Sequence, residues 1–114
     1  MFNITREDGY TKIVAQGKLT HNDYINTLIP EIDKIAKAGS MKIMNVMEDF
    51  SGIEFKAMID DFKTAFKHRK EFKKVAVVTN QPWMKVGLNI FKNIIDGEVQ
   101  IFKNESDAEI WLQK

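Results

Sequence analysis

Between residues 45 and 72 the apolar positions change period, from a near-continuous run to a spacing of three and four, and the change marks a strand, a loop and a helix. At about 100° per residue, Phe55, Met58, Ile59, Phe62, Ala65 and Phe66 share an arc of roughly 120°, the width of one core-facing stripe. They are the predicted buried face. Opposite them, Lys56, Asp60, Asp61, Thr64, Lys67 and His68 read as a solvated face, with Asp60 spaced for pairing with Lys63 or Lys67. Ser51 or Gly52 suits the helix entrance, where backbone N–H groups lack acceptors, and Lys67, His68, Arg69 and Lys70 crowd the end where carbonyls are unpaired. Arg69 projects toward the apolar side, from where it is expected to cap those carbonyls.

The flanking stretches repeat the strand-then-helix unit. Residues 2–7 and 10–19 are short strand-like runs separated by Asp8-Gly9, a dipeptide suited to a tight hairpin turn. Thr20-His21-Asn22-Asp23 is a capping box with Asp in place of Glu, opening a helix that runs to about residue 38, where Gly39 stops it. Its inward arc is Tyr24, Ile25, Leu28, Ile29, Ile32, Ile35 and Ala36; Pro30 falls on the other side and should bend the helix, and His21 is expected exposed at the cap. Residues 41–47 form an apolar strand interrupted by Lys42 and Asn45. Residues 74–79, without alternation, read as a strand buried on both faces at the centre of a parallel sheet.

The segment from Pro82 to about Ile95 carries two apolar stripes. Trp83, Val86, Gly87, Ile90 and Ile94 make one; Met84, Leu88, Phe91 and Ile95 make a second beside it. Together they cover about 200°, more than a surface helix of a small domain buries, and Pro82 suits the first turn. Asp96-Gly97 turns the chain into a last strand over residues 98–103, and a short helix over 106–113 presents Ala108, Trp111 and Leu112 inward. The fold class that follows is α/β: an N-terminal β-hairpin, then strand–helix units on a mostly parallel five-stranded sheet with four helices, in one domain spanning residues 1–114.

Composition narrows the function classes. A chain of 114 residues with 44% hydrophobic and 29% charged residues is long enough for one real core. Seventeen Lys and Arg against sixteen Asp and Glu leave no basic excess to hold nucleic acid. The absence of cysteine removes disulfides, thiolate nucleophiles and Cys-based metal sites, and the two histidines, His21 and His68, are not in a metal-ligand spacing. No start resembling a signal peptide and no apolar run of bilayer-spanning length point to a cytoplasmic protein. No catalytic, cofactor or metal residue is assigned.

The quoted pieces, in order, carry a likeness. Leu19-Thr20-His21-Asn22-Asp23-Tyr24 with Pro30, Glu48-Asp49-Phe50-Ser51-Gly52, Asp61-Phe62-Lys63 with Lys67-His68, Val75-Ala76-Val77-Val78 before Trp83, and Ala108-Glu109-Ile110-Trp111-Leu112 together resemble the bacterial SpoIIAA-like family. That resemblance implies a fold similar to the STAS domains, which include anti-sigma-factor antagonists, and to the lipid-carrying CRAL-TRIO domains. The antagonists are regulated on serines at the start of a helix; the corresponding positions here are Phe55-Lys56, and Ser51 is better explained as a helix cap.

Two functional surfaces follow. The stripe Met84, Leu88, Phe91 and Ile95 is the candidate contact for a protein partner or an apolar ligand, because burying four such side chains contributes about 1.5–3 kcal/mol each. Asp49 and Ser51, at the end of a parallel strand, are a candidate polar ligand contact. Asp49, Asp61 and His68 do not make a catalytic set, since two helical turns, about 10 Å, separate Asp61 from His68. The expectation is a non-catalytic protein-interaction or ligand-binding module forming a homodimer, with carriage of an apolar small molecule or lipid as the alternative.

Overall fold

The computed structural model describes residues 1–81 and 84–114. Strand β1 (Phe2–Arg6) is antiparallel to β2 (Thr11–Leu19), while β3 (Met41–Ile53), β4 (Phe72–Val78) and β5 (Glu98–Phe102) extend the sheet in parallel, in the order β1-β2-β3-β4-β5. Helix α1 occupies residues 21–36; α2 is Phe55–Lys67, α3 is Met84–Ile94 and α4 is Glu105–Gln113. The expected α/β class, hairpin and five-stranded sheet are observed. The sheet's centre is β3, not the residue 74–79 strand expected there, although β4 is indeed buried on both sides.

Sequential strand order has a consequence for the helices. Crossovers of one hand between successive parallel strands all fall on the same face, so α1, α2 and α3 share a core with Ile13, Ile43, Val75 and Val77. The terminal helix α4 closes the other face, where Ala108 and Leu112 meet Met44, Val46, Ala76 and Val78. Lys42 and Lys74 reach the last carbonyls of α4, donating to Leu112 O at 2.8 Å and Trp111 O at 3.0 Å, which supplies positive charge where the helix dipole is negative. The stripe on α3 therefore does not pack on Trp111; the two lie on opposite sides of the sheet. Pro82 and Trp83, expected to begin this helix and its first stripe, lie outside the described residues.

Helix α1 opens with the predicted capping box: Asp23 N donates to Thr20 Oγ1 at 3.1 Å and Thr20 N to Asp23 Oδ2 at 2.9 Å. Its turn over Tyr24–Leu28 is π-helical, just before Pro30. Pro30 has no N–H to give the carbonyl four residues back and crowds it, and a wider turn accommodates both defects. Ile25 consequently stands 47% exposed instead of facing inward. Gly39, at φ 97°, ends the segment as expected.

Strand β3 runs six residues past its predicted end at Met47. Beyond Val46 it pairs with β2 alone, through register shifts that leave Asp49 and Ser51 without partners opposite Gln16–Lys18. These are bulge residues, and Asp49 takes the positive φ of 48° that such kinks impose. Ser51 is thus inside a strand and does not cap α2; Glu54 is the N-cap residue, and its carboxylate accepts from His21 N at 2.9 Å.

The largest departure is the rotation of α2. The predicted inward residues Phe55, Ile59 and Phe66 are exposed, at 73%, 37% and 60%, whereas Ala57, Thr64, Ala65 and His68 are buried. The buried set, with Asp61, also recurs at helical spacing, roughly a third of a turn away from the apolar arc. The cause is polar pairing with α1. His21 Nδ1 contacts Asp60 Oδ2, Tyr24 Oη donates to Asp61 Oδ1 at 3.1 Å, and His68 Nε2 lies 2.6 Å from Asp33 Oδ1. His68 Nδ1 meets Glu71 Oε1 at 3.2 Å, so both ring nitrogens face carboxylates. Neither histidine is the solvated residue expected. Arg69 caps Phe66 O at 2.9 Å, as predicted, and lies over the Phe66 ring.

Two outcomes test this arrangement. A Cβ on Gly97 would sit 2.2 Å from Phe72 O, so Gly97→Ala should cost about 1–3 kcal/mol in denaturant unfolding. The hydrogen bond from His68, helped by Lys67, holds the Asp33 carboxyl below its usual range against burial, which pushes it up. A carboxyl lowered on folding adds stability in full above its unfolded value of about 3.9 and loses it as pH falls below that. His68→Ala should therefore lower the unfolding free energy at pH 7 by about 1–3 kcal/mol and flatten the acid limb of the stability profile.

Candidate functional site

Helices α2 and α3 do not close completely on the sheet. Between them lies a cavity of about 420 Å³, within the range of small-molecule sites. Its floor is the inward side of β2, β3 and β4, through Ile13, Ile43, Asn45, Val75 and Val77. From α1 come Tyr24, Leu28 and Ile32; from α2 come Met58, Asp61, Phe62, Thr64 and Ala65. The remaining wall is α3, with Met84, Leu88, Phe91 and the outward Val86 and Ile90.

The wall on α3 follows from its two stripes. No described residue of that helix is fully buried; Met84, Leu88 and Phe91 are half-buried and line the cavity, Phe91 edge-on to Phe72 with ring centres 5.9 Å apart. Ile95, the fourth residue of the candidate stripe, is 5% exposed just past the helix end and belongs to the core. The solvent-facing apolar residues are instead Val86 and Ile90, at 69% and 47%.

The polar lining is sparse. Tyr24 Oη donates to Asp61, and Thr64 Oγ1 donates to Asp60 O at 2.8 Å within α2. Burial pushes the Asp61 carboxyl up to about 6, against the opposing pull of the Tyr24 hydroxyl. Burial, then the Asp61 charge, pushes the Tyr24 phenol above its usual value, so it keeps its proton. The Asn45 side chain has no hydrogen-bond partner among the described residues.

The sequence-predicted residues thus divide. Met84, Leu88 and Phe91 converge on the cavity; Asp49 and Ser51 are exposed bulge residues of β3 that do not line it. Asp61 and Thr64, expected in solvent, and Tyr24 and Asn45, which carry no functional expectation, are the polar groups inside among the described residues. Asn45 alone left a visible mark, as a polar residue at an inward position of an apolar strand. Among the described residues no cluster of His, Asp and Glu could hold a metal ion, and no helix is long and apolar enough to cross a membrane.

Comparison with known proteins accounts for the architecture. No curated protein matches the sequence. The crystal structure of an uncharacterised DUF3478-family protein with a SpoIIAA-like fold from Shewanella loihica PV-4 is similar over 98% of this chain and 92% of that one, with 30% identity and a TM-score of 0.77. The anti-sigma factor antagonist SpoIIAA in its unphosphorylated form superposes with a TM-score of 0.69 at 13% identity, over 99% of this chain and 98% of that one. An anti-sigma factor antagonist from Mycobacterium paratuberculosis gives 0.63 at 14%, over 100% and 94%. These last two show the fold alone. The SpoIIAA-like family model matches residues 10–113, and the chain belongs to the SpoIIAA-like family.

Proposed function

We propose that this protein is a non-catalytic, cytoplasmic binding module whose cavity takes an apolar small molecule or lipid. The observation that carries the reading is the cavity of about 420 Å³, walled by apolar side chains from three helices and the sheet. A concave apolar space of this size favours a carrier over a contact module, whose apolar residues would form a flat exposed patch. Met84, Leu88 and Phe91 act as the ligand wall. The polar groups present are too few and too far committed to one another for a catalytic set: His68 is spent on Asp33 and Glu71, and Asp61 stands with a phenol and no nucleophile.

A regulatory protein contact, including self-association, is the second reading. It is favoured by Phe55, Phe66, Val86 and Ile90, which leave large apolar side chains in water, and by the likeness of fold to anti-sigma factor antagonists.

Native mass spectrometry of the protein purified from its own host separates the two. A monomer carrying extra mass that is released at dissociating settings is the expected result; a dimer or heteromer without added mass would overturn it in favour of the contact surface. Leu88→Trp, which fills the cavity without adding charge, should remove the extra mass and weaken binding of the neutral apolar dye Nile red by about tenfold or more, as the apolar area it would cover is lost.

A further inference from the structure

Hydrogen-bond capacity inside the cavity is unequal. The protons of Tyr24 Oη and Thr64 Oγ1 are already given, to Asp61 Oδ1 and to Asp60 O. Asp61 Oδ2 has no partner among the described residues, nor has the Asn45 amide. Among the described residues the free capacity is therefore mostly acceptor: the second carboxylate oxygen, the Asn45 carbonyl and the hydroxyl lone pairs, with the Asn45 NH₂ as a free donor group. Among the described residues no Lys, Arg or His lines the cavity. An anionic head placed beside Asp61 would meet a like charge in apolar surroundings with no cation to offset it.

We propose that the ligand is an amphiphile whose head donates protons, an alcohol or an amine on an apolar chain, held at Asp61 and Asn45, and that the same chain ending in a carboxylate is rejected. The proposal deepens the cavity reading and rests on it. The apolar walls supply affinity without discriminating between chains of equal length, while Asp61 and Asn45 discriminate between heads. A hydroxyl or ammonium that reaches Asp61 Oδ2 completes a carboxylate otherwise left half-satisfied. Asp60, the neighbouring acid, is not available for this task because His21 already contacts it.

Displacement of Nile red by dodecanol, dodecylamine, dodecanoate and dodecane at pH 8, where Asp61 is ionised, tests the head preference directly. Dodecanol and dodecylamine should bind at least about tenfold more tightly than dodecanoate, and dodecanol more tightly than dodecane, a difference of the size of one charge-assisted hydrogen bond. In Asp61→Asn, which removes the charge and keeps an acceptor for Tyr24, the gap between dodecanol and dodecanoate should close to within about threefold. The wild-type ratio decides the matter even where that variant does not fold. Equal binding of all four, or dodecanoate binding tightest, overturns the head preference and leaves the cavity reading standing. Failure of Nile red and of all four chains to bind overturns both.

Discussion

The polar seam between α1 and α2 is the constraint on which the rest of the structure depends. It is built on His21 with Asp60, Tyr24 with Asp61, and His68 with Asp33, where Lys67 also reaches the Asp33 carboxylate. They sit along one side of α2, from its middle to its end, and a helix tied along that line cannot also turn its phenylalanines inward. Hydrogen bonds between charged groups are stronger than neutral ones and directional, whereas apolar burial is non-directional. The directional term fixes rotation here. What remains for apolar packing are the small residues Ala57 and Ala65, which let α2 approach the sheet but fill little space.

Much of the architecture was legible in the sequence for local reasons. The capping box, the Asp8-Gly9 turn and Gly39 are each readable from a few adjacent residues and appear where expected, and the unbroken apolar run of β4 is buried on both faces as expected, though one place from the sheet's centre. The orientation of α2 was not legible, because two stripes recur at the same helical period: the apolar arc of Phe55, Ile59, Phe62 and Phe66, and the mixed arc of Ala57, Asp61, Thr64, Ala65 and His68. Hydrophobicity alone selects the first. Selection of the second requires knowing that α1 presents His21, Tyr24 and Asp33 to it, a relation across more than thirty residues that no local period encodes. The same limit applies to the long β3, whose bulges depend on pairing with β2 and not on its own residues.

The candidate site was legible in half. The spacing of Met84, Leu88 and Phe91 marked an apolar surface in excess of what one helix face buries, and that excess lines the cavity. Ile95 shared the spacing but follows the last helical residue, where the chain turns back toward β5 and carries it into the core. Asp49 and Ser51 draw attention in the sequence because ligands gather at the ends of parallel strands. The extension of β3 moves that end six residues on from its expected place at residue 47, and the polar groups lining the cavity come from α1, α2 and the middle of β3.

The cavity and the exposed phenylalanines have one origin. The space of about 420 Å³ between these apolar walls is partly open to solvent, and its lining gains from any apolar occupant that covers it. The side chains that could fill it are present in the chain: Phe55 and Phe66 lie on the same helix and would swing toward it if α2 turned back by roughly a third of a turn. That turn would draw Asp60, Asp61 and His68 away from their partners and leave the polar groups of α1 facing an apolar helix. The seam thus holds the filler outside and the volume inside, and it places one half-satisfied carboxylate where an occupant would meet it.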